Sequence, residues 1–158
     1  MKLNKLLILL ITVFLASCQK TQNIKISTIQ NKTWVISSFQ KDSIIIKKND
    51  KPKVLIALDL ECPLCSYYSN TINELYHTYK DQIDFYGFLP SVVFVPDKFD
   101  DFKKKYNYEL DFLIDTNQLL TNALNAKITP ECFLLDSNLN IKYQGLIDDR
   151  IKEVGRRK

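Results

Sequence analysis

Apolar and polar residues fall into short, sharply bounded segments along most of the chain. Thr33 to Phe39 and Ser43 to Ile46 are rich in β-branched residues and predict a hairpin of two strands. A charged turn, Lys47 to Lys53, carries Pro52 and leads into the apolar run Val54, Leu55, Ile56, Ala57 and Leu58, the expected central strand. Beyond Cys65, the positions Tyr68, Ile72, Leu75 and Tyr79 recur at i, i+4, i+7 and i+11, which predicts one face of a helix about fifteen residues long. Ile83 to Leu89 is continuous enough in Phe85, Tyr86 and Phe88 to be a strand buried on both faces. Asp97 is expected to cap a second, short helix with Phe99, Phe102 and Tyr106 on one face and Lys103, Lys104 and Lys105 toward solvent. Asp111 to Asp115 reads as a brief strand, and a third helix starts at Thr116 or Asn117 with Leu119, Leu120, Ala123 and Leu124 inward. Ile128-Thr129-Pro130 then precedes a strand through Cys132 to Asp136, which turns at Ser137 to Asn140 into Ile141, Lys142 and Tyr143. Proline is tolerated at the first residue of a strand. Strands alternating with helices and closed by a hairpin predict an α/β sandwich.

The first residues follow a different pattern. Lys2 and Lys5 form a basic region, Leu6 to Leu15 an apolar one, and Leu15-Ala16-Ser17-Cys18 closes it. The apolar stretch is short for a bilayer span, which takes about 20 apolar residues, so residues 1–17 read as an exported signal peptide that is cleaved. Leu-Ala-Ser-Cys also resembles the lipobox of bacterial lipoproteins. That resemblance implies that Cys18 becomes the acylated first residue of the mature protein, with residues 18–31 as a polar tether and 32–158 as one folded domain. It places the protein in the bacterial envelope, lipid-anchored and periplasm-facing. Gln19 in place of Asp would favour the outer membrane by the sorting rule of Gram-negative bacteria. The plainer alternative is an ordinary signal peptide with a chance cysteine.

A chain of 158 residues holds one domain with a real core. The formal net charge of +4 falls to +2 when Lys2 and Lys5 leave with the signal peptide. Charges are mixed along the domain, and Arg156, Arg157 and Lys158 form only a short basic tail, so no nucleic-acid partner is implied. Once Cys18 is set aside, Cys62, Cys65 and Cys132 remain in an oxidising compartment. An odd count argues against a pure disulfide framework.

The chemistry concentrates where the central strand runs through Asp59, Leu60 and Glu61 into Cys62-Pro63-Leu64-Cys65 and a helix follows at once. The first turn of a helix presents unpaired N–H groups and the positive end of the dipole, which stabilises a thiolate. Cys62 at the N-cap is therefore the expected nucleophile, with Pro63 at the first helical position, where its missing N–H costs nothing. Cys65, one turn on, is expected to lie below it and to resolve a mixed disulfide.

A C-x-x-C at a strand-to-helix junction, with Thr129-Pro130 before a later strand, resembles the thioredoxin superfamily. There the later proline is cis and packs against the active-site sulfurs, which would put Pro63, Thr129 and Pro130 in a substrate groove. A finer resemblance is to the exported redoxin branch, grouped with alkyl hydroperoxide reductase and thiol-specific antioxidant domains. In that branch segments like Glu61-Cys62-Pro63-Leu64, Thr129-Pro130-Glu131 and Tyr143-Gln144-Gly145-Leu146-Ile147-Asp148-Asp149-Arg150 occur in this order, and the likeness covers roughly residues 50 to 157. It implies a three-layer sandwich on a central mixed sheet and a thiol-disulfide oxidoreductase that acts on protein thiols or disulfides, with no cofactor and no metal.

Departures from the pattern are specific. Thioredoxins carry Trp before the first Cys, where this chain has Glu61, and a buried carboxylate six residues before it, where it has Ile56. Asp59 and Glu61 are the nearby carboxylates left to accept a proton. The Pro and Thr upstream of a peroxidatic cysteine are missing, which counts against a thiol peroxidase. Asn70 stands near the place of the usual helix proline. Related domains run on into a C-terminal helix, which here is expected to be shortened or missing: Ile147 to Val154 makes a short substitute, or the N-terminal segment covers that face, or the protein is a truncated relative of reduced stability.

Other residues have plainer readings. Cys132 reads first as a small buried hydrophobe and second as a third thiol beside the pair, where three soft ligands would suit Cu(I). A non-catalytic binding module, for Cu(I) or with a structural disulfide, is therefore the alternative function. His77, twelve residues beyond Cys65, is too far along the helix to act as ligand or base. Trp34 and the many Tyr and Phe residues read as packing, and Asp148 and Asp149 as a solvated turn.

Overall fold

The computed structural model describes residues 44–150 and the backbone of Trp34–Ser38. The signal peptide, Cys18, the tether, the Trp34 side chain and residues 151–158 lie outside the described residues.

Seven strands lie side by side in the order β2-β1-β5-β4-β3-β6-β7. β1 (Trp34–Ser38) and β2 (Ile44–Ile46) form the expected antiparallel hairpin, with Trp34 opposite Ile46. β1 continues onto β5 (Asp111–Ile114), also antiparallel. β3 (Lys53–Ala57) is central: parallel to β4 (Asp84–Leu89) on one side and antiparallel to β6 (Glu131–Leu135) on the other. β7 (Ile141–Gly145) closes the edge against β6.

Side chains of a strand alternate between faces, and here each face carries its own core. Leu55 and Ala57 of β3 join Phe88, Leu113, Phe133 and Leu135 beneath α4 (Leu119–Leu124). Ile56 and Leu58 face the opposite layer with Phe85, Leu89 and Phe112, beneath α1 (Pro63–Tyr67), α2 (Ser69–Tyr79) and α3 (Pro96–Lys105). The result is the expected three-layer α/β sandwich on a mixed sheet. The residues described after β7, 146–150, form no helix.

Several local expectations change. The single helix after Cys65 is two, broken at Tyr68. Its buried line runs Tyr68, Ile72 and, partly, Tyr76, while Leu75 and Tyr79 are exposed. The stripe thus follows i, i+4, and Tyr76 completes it edge-on to Phe85, with ring centroids 5.9 Å apart. Asp97 does not cap α3: Val95 is the N-cap, Pro96 follows, and Asp97 sits in the first turn, where its charge still suits the helix dipole. α4 begins at Leu119 rather than Thr116 or Asn117, because Gln118 turns into the left-handed region at φ 52°. Buried Asp115 does the capping from outside the helix, accepting from the Leu120 and Thr121 amides at 3.1 and 2.9 Å and from the Thr121 hydroxyl at 2.7 Å. No helix among the described residues is long and apolar enough to cross a membrane.

Candidate functional site

The site forms where β3 ends and β6 begins. Their antiparallel register sets Ala57 opposite Glu131, so the segment after Ala57 meets the segment before Glu131. Cys62 is the N-cap of α1 in extended conformation, φ −76° and ψ 118°, with Pro63 next, as the sequence predicts. The Cys62 thiol donates to the Thr129 carbonyl at 3.3 Å, and the Thr129-Pro130 bond is cis.

The two sulfurs of the motif differ in surroundings. Cys62 is partly exposed and Cys65 is fully buried; both are free thiols. Burial raises the Cys62 pKa, but the Cys65 amide and thiol, the Leu64 amide and the Thr129 side chain all donate toward its sulfur, and the net effect holds it below the ordinary value. Burial pushes the Cys65 thiol up to about 12, even though the Asp59 amide donates to its sulfur at 3.4 Å. One turn of chain therefore holds a partly exposed sulfur whose thiolate is favoured by its donors and a buried one whose thiol form is favoured by burial.

The nearby carboxylates divide. Glu61 is bound by Lys98 at 2.6 Å, and that hydrogen bond and charge hold its carboxyl low. Asp59 is the carboxylate whose charge is felt at Cys65, and it accepts from the Glu61 amide at 2.8 Å. Two cavities flank Asp59. One, about 250 Å³, is walled by Leu58, Leu89, Val93, Phe94 and Val95, with the Glu61–Lys98 pair at its rim. The other is bounded by Pro90, Ile128 and Thr129. Val93, Val95 and Ile128 are exposed, so the two cavities beside Asp59 have an apolar rim.

Cys132 lies on β6 opposite Ile56, packed with the same core layer as the pair, and burial pushes its thiol up to about 11. Among the described residues no group of three or more His, Cys, Asp and Glu is placed to hold a metal ion. His77 lies exposed near Glu109, at 3.6 Å.

Two supports of the site are not evident from the sequence. Glu131, buried at the start of β6, accepts from the Lys127 amide at 2.7 Å and from Gln144 at 2.9 Å, pinning the loop that carries Thr129. A carboxylate opening an apolar strand was the available signal. Asp148 is no free turn: Tyr68 donates to it at 2.6 Å, and Arg150 pairs with it. Tyr68 is consequently pushed up to about 12 by burial and by that carboxylate.

This is the thioredoxin-like fold, and the chain shares it with solved bacterial proteins. StoA from Bacillus subtilis matches at 17% identity over 78% of this chain and 96% of its own, with a TM-score of 0.64. A thiol-disulfide oxidoreductase from Bacteroides fragilis NCTC 9343 matches at 12% identity over 78% and 98%, with a TM-score of 0.65. A secreted Mycobacterium tuberculosis disulfide oxidoreductase matches at 15% identity over 74% and 84%, with a TM-score of 0.59. No family model matches the sequence, and no curated protein does.

Proposed function

We propose that the protein is a thiol-disulfide oxidoreductase of the exported redoxin type, working through Cys62 and Cys65. The observation that carries this reading is the asymmetry of the pair: Cys62 partly exposed at the N-cap of α1 and bonded to the Thr129 carbonyl before cis Pro130, with Cys65 fully buried one turn on, and burial and hydrogen bonding shift the two thiols in opposite directions. Cys62 thiolate attacks a substrate disulfide, forming a mixed disulfide and releasing one substrate thiolate. Cys65 then loses its proton and attacks the Cys62 sulfur, releasing the second substrate thiolate and closing the Cys62–Cys65 disulfide. Two electrons leave the pair, and two protons end on the substrate. The reverse sequence oxidises a dithiol. Pro63, Thr129 and Pro130 with the apolar rim form the groove for a protein substrate, and Asp59 is the carboxylate closest in role to the missing internal proton acceptor.

On the same reading residues 1–17 are removed and Cys18 is acylated, holding the domain at a bacterial envelope membrane; the Leu15-Ala16-Ser17-Cys18 sequence supports this. Loss of fatty-acid labelling in Cys18→Ala checks it. The catalytic reading is tested by the reduction potential of Cys62/Cys65 and by insulin-disulfide reduction with Cys62→Ser as control. A potential below about −300 mV, in the range of structural disulfides, with no insulin reduction, would leave only a structural pair.

A further inference from the structure

The segment after β7 reaches back to the helix that carries Cys65. Tyr68, at the join of α1 and α2, adopts φ −84° and ψ −1°, in the sparse bridge region. Its ring is buried, and its hydroxyl donates to Asp148 Oδ1 at 2.6 Å across 80 positions of sequence. Asp148 is fixed in turn by Arg150, whose amide donates to Oδ1 at 3.0 Å and whose Nε donates to Oδ2 at 2.5 Å. The Arg150 guanidinium also donates to Thr71 Oγ1 in α2 at 2.6 Å and lies over the rings of Tyr67 and Tyr68, 5.8 and 5.3 Å from their centroids. One polar cluster thus grips the last residue of α1, the join and the first turn of α2.

α1 has little to hold it by itself. It spans five residues, lacks a side-chain cap and has no acidic residue in its first turn. A helix that short takes its position from what it packs against.

We propose that Tyr68, Asp148 and Arg150 form a clamp that positions α1, and with it the Leu64 and Cys65 amides beneath Cys62, so that residues 148–150 tune a redox pair they do not touch. The inference rests on the oxidoreductase reading. All three are positioning residues.

The titratable and charged groups around Cys62 and Cys65 are Asp59, Glu61 with its partner Lys98, Tyr108, whose hydroxyl donates to the Cys65 carbonyl at 3.4 Å, and Cys132 in the same core layer. None belongs to the clamp. The test is the pH profile of Cys62 alkylation in the reduced full-length chain, resolved peptide by peptide by mass spectrometry, for the parent, Tyr68→Phe and Asp148→Asn. In both variants the midpoint should rise by about half a pH unit, slowing alkylation near neutral pH roughly threefold. Removing the Asp148 charge without moving α1 would shift the midpoint the opposite way. A loss of global stability lowers the melting temperature and leaves the midpoint in place. Should Tyr68→Phe fail to fold, Arg150→Lys, which keeps the charge at a half-exposed side chain but cannot reach Asp148 and Thr71 with one planar fork, gives the same readout. Unmoved or lowered midpoints in folded variants overturn the clamp. A parent midpoint at or above about 8.5, the free-cysteine value, would instead remove the oxidoreductase reading beneath it.

Discussion

Replacing Glu131 by alanine tests whether one buried carboxylate organises the proline loop. The side chain is only 5% exposed, and its described partners are neutral donors: the Lys127 amide at 2.7 Å, the Ile128 amide at 3.4 Å and Gln144 Nε2 at 2.9 Å. Hydrogen bonds to a charged group are worth about 1.5–3 kcal/mol each, and an orphaned buried donor costs a further amount of similar order. Gln144 is exposed and regains water, so its share is largely recovered. The charge-assisted Lys127 bond is the main loss, about 1.5–3 kcal/mol in Glu131→Ala. With a urea slope of about 1.5 kcal/mol/M for a domain of this size, the midpoint should fall by roughly 1–2 M. Glu131→Gln should cost under about 1 kcal/mol, because a glutamine carbonyl can still accept from Lys127 while the Gln144 amide turns to pair with the new NH₂. A midpoint for Glu131→Ala within about 0.3 M of the parent would refute the assignment. So would a Gln variant as unstable as the Ala variant.

Three further outcomes follow from other parts of the fold. Gly87→Ala places a Cβ 2.7 Å from Cε1 of Phe112, a buried ring held edge-on by Phe99 and Tyr108, so melting should show a loss of about 1–3 kcal/mol. Asp115→Ala removes the three bonds that start α4 and should cost about 1–2 kcal/mol, with faster hydrogen exchange at the Leu120 and Thr121 amides. The Asp136 carboxyl is held far below its usual range by the Asn140 amide and side chain, with help from Lys142 and the Asn138 amide. Its contribution is therefore fully present above the unfolded value of about 3.9 and is lost as pH falls below that toward the folded value, so acid should lower the melting temperature less in Asp136→Ala than in the parent.

The parts of the molecule that depend on neighbours in sequence were legible from it. The strand from Val54, the N-cap Cys62 with Pro63 behind it, and Thr129-Pro130 before β6 all follow from local composition and turn chemistry. The break at Tyr68 was not, and the contact made there, to Asp148, lies eighty positions away in sequence. Asp115 escaped for a related reason: it caps α4 across three intervening residues, the last of them the left-handed Gln118, a geometry that no N-cap pattern describes. Glu61 was readable as a carboxylate beside the nucleophile but not as the partner of Lys98, since the pairing requires α3 to fold over the loop.

The ladder that sets Ala57 against Glu131 limits how this site can change. Strand pairing admits whole-residue steps only. A slip of one position would carry Thr129 about 3.4 Å past Cys62 and turn the Glu131 side chain to the other face, removing the carbonyl contact and the loop's anchor together. The spacing of sulfur and carbonyl is thus quantised, with no graded intermediates through which it could drift. The stretch between β4 and β5 escapes that restriction: α3 and its entry loop can gain or lose residues, reshaping the Val93–Val95 wall, while the sulfurs stay where the ladder puts them.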